Sequence, residues 1–374
     1  MSAPRLYFPY SAIALGGHVY SSFLLIEDLL AQGYDARLAI HGEGPVLDEA
    51  VRRRLPVDRY AAIPGSPSDP KLDSFQASAA LKGLLFTAPL KRARIAILHV
   101  NDKRMLRLWA PAAALAGAKM VAHWRSTYTR SISIDAALAS AKAIIAVSQY
   151  SRDGLPPFAR RKCEVIYNPF EAQLSRDDIE GARRDMRTSL GIPHDAAVLG
   201  FFGSRTVRKR PSAFIDILNA VARSRAQPVW GLMCGGDGVP HDPDFASKAR
   251  GAPTLVVRGH VADVERHMAA CDVIVHPATR EPLARVGVEA QSLGLPILAS
   301  QDGGLREVIR HGVDGFILPP DDIDAWRQAI VGLLDDDRLR AEVSTAAFES
   351  AARLSRARHV SAVIGVYQRL GLAS

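Results

Sequence analysis

Two glutamates, Glu281 and Glu289, are separated by seven residues within the most informative stretch of the chain, residues 272–307. Glu281 follows an apolar strand pattern that ends at His276, and Glu289 falls in the second turn of a helix predicted to begin near Ala284. The unpaired amides and the dipole of such a helix start can hold a diphosphate. A carboxylate that accepts from two hydroxyls suits a ribose or hexose diol, and each charge-assisted bond contributes about 1.5–3 kcal/mol. The spacing therefore predicts that the two acids address the two ends of one bound ligand.

A cationic loop, residues 203–211, follows the first strand pattern of the second half of the chain. Cations beside a departing diphosphate stabilise the negative charge that develops on the leaving group. We therefore expect this loop to replace a divalent metal, and we expect no metal and no cofactor. The D-x-D spacing of Asp242 and Asp244 indicates a helix start rather than a metal site, because it falls in a turn before a predicted helix.

The second half of the chain resembles the retaining glycosyltransferases of the GT-B fold, specifically the large family four, often called group 1. The two glutamates carry this resemblance together with shorter motifs on either side of them. The matching residues are Glu281, Glu289-Ala290, Gly294-Leu295-Pro296-Ile297, Asp302-Gly303-Gly304 and Glu307, with residues 232–238 and Gly259-His260-Val261 followed by Asp263 upstream. Any one of these motifs is weak, whereas their combination is strong.

The resemblance implies a role for each matching residue. Glu289 should bind the nucleotide ribose, and Glu281 should face the donor sugar near its reacting carbon. Lys209 matches a family lysine that binds the diphosphate, and the family's arginine falls on Ser204 or, with a loop one residue tighter, on Arg205. The predicted catalytic residues are Glu281, Lys209, Arg205 and Arg125.

The predicted donor site draws on both halves of the chain. At Ala284 the family usually has glycine, and the methyl group narrows the approach to the neighbouring amides. The donor-binding residues are Gly16, Gly17, Gly203, Ser204, Lys209, Gly259, His260, Val261, Glu281, Leu283, Ala284, Arg285, Val286 and Glu289.

In the first half, Gly16-Gly17-His18 resembles the family's glycine turn, and residues 146–148 with 168–169 resemble its V-S…N-G pattern with proline in place of glycine. The family often places a histidine where Arg125 stands, and His123 lies two residues earlier on the same strand face. We assign His18, His123 and Arg125 to the acceptor side. Arg125 suits an acceptor phosphate or the donor's reacting end, whereas His18 as an ordinary turn residue and His123 as a structural histidine remain open.

Alternating strand and helix patterns predict an α/β protein with two doubly wound, Rossmann-like domains facing a central cleft, the GT-B architecture that the resemblance also implies. The predicted domains are residues 1–170 on the acceptor side, a linker at 171–195 and a donor domain at 196–355. A C-terminal helix within residues 356–374 is expected to pack back toward the first domain.

Several classes are disfavoured by what the sequence lacks. Neither G-x-G-x-x-G nor G-x-x-x-x-G-K-[ST] occurs, which argues against a nicotinamide oxidoreductase and a P-loop nucleotidase. No apolar run reaches the roughly 20 residues that span a bilayer. Three widely spaced cysteines suit a reducing compartment, so we expect a cytoplasmic protein, with peripheral attachment at the inner face of the membrane as the variant of this location.

Positive charge is concentrated in the first half, where residues 1–170 hold 22 Lys and Arg against 13 Asp and Glu. This excess suits an anionic partner, and residues 81–95 with 51–55 mix leucines with cations in a way that favours an anionic membrane surface. Scattered solubility charge is the alternative. Nucleic acid is not expected as a partner, because these segments lack interleaved aromatic residues.

These observations and the resemblance together predict a retaining glycosyltransferase. It would transfer a hexose from a UDP- or GDP-sugar to a glycan or lipid-linked acceptor without a metal. The rivals are a nucleotide-sugar epimerase of the same fold and a catalytically silent sugar- or lipid-binding module.

Overall fold

The structure, a computed structural model, describes residues 4–13, 15–62 and 81–372. The chain divides into two compact units, residues 1–169 with 356–374 and residues 170–355. Each unit is built on one parallel β-sheet with helices packed against it, which is the predicted α/β fold.

The sheet of the first unit has seven strands in the order β3-β2-β1-β4-β5-β6-β7. All of its described pairings are parallel, and the strand order reverses between β1 and β4. The strands are β1 Arg5–Ser11, β2 Asp35–His41, β3 Val57–Tyr60, β4 Ile95–Val100, β5 Lys119–Trp124, β6 Ala143–Ala146 and β7 Cys163–Val165.

The helices of the first unit connect these strands. They are α1 Gly17–Ala31, α2 Pro45–Arg52, α3 Thr87–Arg92, α4 Lys103–Ala116, α5 Ile132–Ser140, α6 Gln149–Asp153 and α7 Pro157–Arg160. The start of α4 is fixed by Asp102, whose side chain accepts from the amides of Arg104 and Met105, and its end by Gly117 at φ 74°.

The second unit has a six-stranded sheet in the order β10-β9-β8-β11-β12-β13, which reverses between β8 and β11. Its strands are β8 Ala197–Phe202, β9 Val229–Cys234, β10 Leu255–Arg258, β11 Val273–His276, β12 Ile297–Ser300 and β13 Phe316–Leu318. Its helices are α8 Ile179–Leu190, α9 Pro211–Arg223, α10 Phe245–Arg250, α11 Val264–Ala269, α12 Arg285–Ser292, α13 Ile323–Asp335 and α14 Asp337–Ala351.

The last helix, α15 Arg356–Arg369, belongs to the first unit. Its first residue, Arg356, forms ion pairs with Asp28 at 2.7 Å and with Glu27 at 3.1 Å, and both acids lie on α1. Its apolar face, including Val363 and Tyr367, is buried in the core of that unit.

The segment predicted as a linker, residues 171–195, is instead an integral part of the second unit. It forms α8, and the Arg183 and Arg187 side chains on this helix pair with Asp272 at 2.5 and 2.9 Å. Arg187 is only 1% exposed and also donates to the carbonyl of Ala270. The ion pairs of Arg183 and the buried Arg187 thus attach this segment to the second unit, whereas the predicted domain bounds stay a prediction.

None of the helices in the described ranges is long and apolar enough to cross a bilayer. The three cysteines, Cys163, Cys234 and Cys271, are free thiols buried in the sheets or beside them.

Candidate active site

The loops that leave β8 and β11 lie side by side, because these two strands are neighbours in the second sheet. The strand order reverses between them, and ligands of open α/β sheets bind at the carboxyl ends of strands at such a reversal. The β8 loop carries Lys209 and the β11 loop carries Glu281. The backbone amide of Thr279 donates to the carbonyl of Arg208 at 3.0 Å, which ties the two loops together.

Glu281 is the centre of a buried ion-pair cluster. Its Oε2 accepts from Lys209 Nζ at 2.8 Å and also from Arg208 Nη1. Glu281 is 8% exposed, and the Lys209 side chain is 13% exposed. The structure therefore joins two of the predicted catalytic residues, and it adds Arg208, which sequence reasoning had not selected from a loop with several cations.

The electrostatics of this cluster keep Glu281 ionised. Burial by itself would raise the pKa of the carboxyl group, but the charges of Lys209 and Arg208 outweigh it and lower the pKa to about 2. A carboxylate in this state accepts hydrogen bonds and has no proton to give near neutral pH. Glu281 is therefore suited to bind hydroxyl groups or stabilise positive charge, and not to act as a general acid.

The Asp302-Gly303-Gly304 motif fixes the backbone of Glu281. The amide of Gly304 donates to the Glu281 carbonyl at 2.9 Å, and Gly303 forms a parallel bridge with Glu281. A Cβ on Gly303 would lie 2.7 Å from that carbonyl oxygen, closer than side chains ever approach. Glycine is thus required for the close contact that holds the acid in place.

Glu289 and the start of α12 lie next along the chain. Glu289 accepts from Arg285 Nε at 3.1 Å, one turn earlier on the helix, and its side chain is 16% exposed. Ala284 takes the N-cap position with an extended backbone, is 4% exposed, and makes no side-chain cap hydrogen bond. Leu283 and Val286 are likewise buried beside it. Because the N-cap residue is alanine, its own side chain supplies no cap to the amides of the first turn.

Arg205 does not join the Glu281 cluster. Its guanidinium group pairs with Asp237 at 2.8 Å, donates to the carbonyl of Gly235 and lies over the ring of Phe245 at 5.4 Å. Ser204, the alternative for the family's arginine, lies in the same loop. The sequence-based choice of Arg205 as a catalytic cation is not supported by this geometry, in which Arg208 stands beside Lys209 instead.

The remaining donor-site candidates of this unit lie at the ends of β8, β9 and β10. The Gly203 amide donates to Cys234 at 2.9 Å, and the Gly235 amide donates to Gly259 at 2.9 Å, so the three strand ends are linked. Gly259 and His260 are exposed and Val261 is half-buried, all just beyond the edge strand β10. The structure shows no contact of this last group with Glu281 among the described interactions.

His276 is the last residue of β11 and lies one loop before Glu281. It is 1% exposed, and neither ring nitrogen has a hydrogen-bond partner among the described residues. Burial and then the charge of Lys209 lower its pKa to about 3, so the ring is neutral beside the Glu281 cluster. A histidine that ends a strand one loop before a key acid is the signal that could have identified it.

In the first unit, the predicted acceptor-side residues lie at the carboxyl ends of β1 and β5. Arg125 donates from Nε to Asn101 Oδ1 at 3.1 Å, from Nη2 to His123 Nδ1 at 3.2 Å and from Nη1 to Asn168 Oδ1. His123 is 2% exposed. The structure therefore brings His123 and Arg125 into direct contact, and it adds Asn101 from the end of β4.

Gly16, Gly17 and His18 form the start of α1, directly after β1. Gly16 is the N-cap with an extended backbone, and no described side chain caps this helix end. Burial and then the charge of Arg125 lower the pKa of His18 to about 4, which keeps its ring neutral. His18 thus lies within the electrostatic reach of Arg125.

Within the described ranges, no group of three or more His, Cys, Asp or Glu side chains is arranged to hold a metal ion. Asp242 accepts from the amide and the hydroxyl of Ser212, in the first turn of α9, at 3.2 and 2.6 Å. The predicted metal independence stays a prediction.

Two Rossmann-like units of this kind, with their candidate residues at the strand ends, define the GT-B class of α/β proteins. Residues 15–174 match the family model described as Glycosyltransferase Family 4, and residues 196–336 match the model described as Glycosyl transferases group 1. The chain belongs to this glycosyltransferase family.

Curated relatives match about half of the chain. A D-inositol 3-phosphate glycosyltransferase of Corynebacterium urealyticum is 30% identical over 201 residues, which cover 51% of this chain and 47% of the relative. The protein of the same name from Mycobacterium marinum is 31% identical over 219 residues, 56% of this chain and 45% of the relative. The chain thus spans about half the length of the curated relatives it matches.

Solved structures match over nearly the whole chain. Anabaena Alr3699/HepE in complex with UDP has a TM-score of 0.79 at 22% identity and covers 98% of this chain and 100% of that one. The same protein in complex with UDP-glucose has a TM-score of 0.78 at 22% identity, with 98% and 99% covered. A glycosyltransferase from Rickettsia africae has a TM-score of 0.80 at 17% identity and covers 100% of both chains. At these identities the likeness establishes the fold.

Proposed function

We propose that this chain is a retaining glycosyltransferase that moves a hexose from a UDP- or GDP-sugar to a glycan or lipid-linked acceptor without a metal ion. The observation that carries the proposal is the cluster of Glu281, Lys209 and Arg208 at the strand reversal of the second unit. The cluster places two cations and an ionised acid within one site, and the start of α12 supplies backbone amides.

The donor would bind through its diphosphate and its two sugars. Lys209 and Arg208 are the cations available to the diphosphate, with the amides around Ala284. Glu289 would accept hydrogen bonds from the ribose hydroxyls and give up its hydrogen bond with Arg285. Glu281 would accept hydrogen bonds from hydroxyls of the transferred hexose. Binding of UDP and UDP-glucose by the structurally similar Anabaena protein supports a uridine nucleotide as the first choice.

The chemistry follows from the ionisation state of Glu281. With a pKa of about 2, Glu281 lacks the proton of a general acid, so departure of the nucleoside diphosphate relies on cationic stabilisation. The bond between the anomeric carbon and the diphosphate oxygen breaks, and the acceptor oxygen bonds to the same face of that carbon. The acceptor hydroxyl's proton passes to the departing diphosphate, and configuration is retained.

The acceptor would bind to the first unit, near His18, His123 and Arg125. The names of the curated relatives support a hydroxylated acceptor that bears a phosphate, although they share only about half of their length with this chain. A basic first unit also suits an anionic membrane surface as the place where a lipid-linked acceptor is met. Cytoplasmic location stays a prediction from cysteine usage.

Two variants of the same loop test the donor site. We expect Lys209→Ala to weaken UDP or GDP binding by about 30-fold, because one charge-assisted contact to the diphosphate contributes about 2 kcal/mol. Arg205→Ala is the matched control and should stay within about threefold, since its guanidinium group faces Asp237. Calorimetric titration of the full chain measures both, and an equal loss in the two variants would contradict the assignment.

Product analysis separates the remaining possibilities. Conversion of the donor sugar without an acceptor would indicate an epimerase, and failure to bind either nucleotide would indicate a silent module. Transfer with inversion, seen by NMR of the new anomeric proton, would refute the retaining mechanism. Loss of transfer after chelation of divalent ions would refute metal independence.

A further inference from the structure

Two cations share one oxygen of Glu281, although a single cation would balance its charge. Lys209 Nζ lies 2.8 Å from Oε2, and Arg208 Nη1 donates to the same atom. The two cations differ in depth, since the Arg208 side chain is 40% exposed and that of Lys209 is 13% exposed. One acid and two cations leave the cluster with an excess of positive charge.

The side chain of Lys209 lies where the strand order of the second sheet reverses. A Cβ on Gly203, just after β8, would lie 3.5 Å from Lys209 Cδ and 3.6 Å from its Cε, so the stem packs on the backbone there. After burial, the charge of Lys209 is the main cause of the lowered pKa of His276 at the end of β11. The ammonium group is therefore close to both strand ends, where the diphosphate is expected.

Arg208 is instead tied to the loop that carries Glu281. Its carbonyl accepts from the amide of Thr279 at 3.0 Å, and Thr279 precedes Glu281 by two residues. The main chain of Lys209 bonds within its own loop, where its amide donates to the carbonyl of Thr206 at 3.0 Å. Arg208 thus contacts the Glu281 loop with both its main chain and its side chain.

A diphosphate bound to Lys209 would change the balance of charge around Glu281. It brings its negative charges beside a carboxylate that is 8% exposed and that the two cations keep ionised, with a pKa of about 2. Like charges repel strongly where little water screens them, and a buried carboxylate without a cation is costly. A second cation that stays on Glu281 removes both costs.

We propose that Arg208 is a positioning residue that neutralises and holds Glu281 while Lys209 binds the diphosphate of the donor. Of the two cations available to the diphosphate, Lys209 then makes the contact and Arg208 acts through the acid. Glu281 stays in place to accept hydrogen bonds from the transferred sugar. The inference rests on the proposed glycosyltransferase function, which supplies the diphosphate.

A double-mutant cycle tests this division of roles by calorimetric titration of the full chain with UDP and with GDP. We expect Arg208→Gln to weaken nucleotide binding by about tenfold or more, because Glu281 then faces the diphosphate with no cation of its own. In a Glu281→Gln background the acid is absent, so the same change should cost less than about threefold. Arg208→Lys retains the charge and should stay within about threefold of the wild type.

Arg210→Gln is the matched control in the same loop. The guanidinium group of Arg210 pairs with Asp321 and donates to the carbonyl of Pro320 at 2.8 Å, away from the Glu281 cluster. Its loss should change the nucleotide affinity by less than about twofold. Thermal unfolding of every variant shows whether the chain still folds.

The outcomes separate the inference from the function on which it rests. An equal loss from Arg208→Gln with and without Glu281 would show that Arg208 itself binds the diphosphate, and it would overturn the inference alone. Normal nucleotide binding by Arg208→Gln, or a loss in Arg208→Lys as large as in Arg208→Gln, would overturn it as well. A folded wild type that binds neither nucleotide would refute the proposed function and the inference together.

Discussion

At the scale of single residues, the choice among the cations of one loop decides the candidate active site. Arg205, Arg208 and Lys209 lie within five positions, and their spacing does not distinguish them. The structure turns Arg205 toward Asp237 and places Arg208 and Lys209 on Glu281. Side-chain direction in an irregular loop depends on distant backbone contacts, here between residues 205–207 and the loop after β9, which no local pattern encodes.

The close contact at Gly303 leads to a residue-scale prediction. Gly303→Ala should displace Glu281, because the added Cβ would meet its carbonyl oxygen at 2.7 Å. We expect a loss of about 1–3 kcal/mol in unfolding free energy and at least about tenfold weaker donor binding. Thermal unfolding and UDP titration measure the two effects.

Gly332→Ala is the control for this change, since a Cβ there meets nothing within 4 Å and the residue lies inside α13. It should be neutral or slightly stabilising. Normal nucleotide affinity in Gly303→Ala would show that the motif does not hold Glu281 in its working position.

At the scale of elements, the apolar patterns located most of the sheet. The apolar runs predict strands at residues 95–100 in the first unit and at 198–202, 228–233, 254–257, 273–275, 296–299 and 315–318 in the second. Strand β4 has the predicted bounds, and each of the six strands of the second unit lies within one residue of its prediction at either end. The short strands β3 and β7 were missed because they bury few residues and carry little alternation. Helix α14 was missed as well, since few of its residues are buried.

The basic, leucine-containing segment before β4 supports an element-scale prediction about membranes. Residues 84–92 form a short 3-10 turn and α3, and Leu81 and Leu85 are 71% and 76% exposed. Exposed leucines near Lys91 and Arg92 are suited to an anionic lipid surface, where each cation contributes about 1 kcal/mol. We expect the protein to sediment with anionic vesicles and not with neutral ones.

Leu85→Glu should reduce this sedimentation by about fivefold, because it removes apolar area and adds a repelled charge. Ile132→Glu is the matched control, at another site of the first unit where the side chain is 91% exposed. Equal failure of the wild type with both kinds of vesicle would remove the membrane hypothesis.

At the scale of the whole molecule, the two units differ in how many neutral histidines they bury. The pKa is lowered to about 4 for His18 and His41 and to about 3 for His359, and it lies well below the ordinary value for His99 and His123. Burial is the largest cause in each case. In the described part of the second unit, His276 is the histidine whose pKa is lowered in the same way, to about 3.

This asymmetry predicts that acid destabilises the first unit before the second. An unfolded histidine binds its proton near pH 6.5, whereas the folded ones stay neutral, so the stabilisation is complete above about pH 6.5 and is lost as the pH falls toward 4. In that range, each such histidine lowers the free energy of unfolding by about 1.4 kcal/mol for every unit by which the pH falls. Hydrogen exchange at pH 7 and pH 5 should show earlier opening of residues 4–169, and equal loss in both units would contradict the prediction.

The amino-acid sequence by itself determined the α/β class, the two sheets and the family. These properties follow from strand and helix periodicity and from motifs whose members are close in sequence. Only the tertiary structure decided that residues 171–195 belong to the second unit, that Arg208 joins Glu281, and that His99 and Arg125 contact His123. Each of these depends on residues far apart in the chain, whose contacts arise when buried charges and hydrogen-bonding groups must find partners.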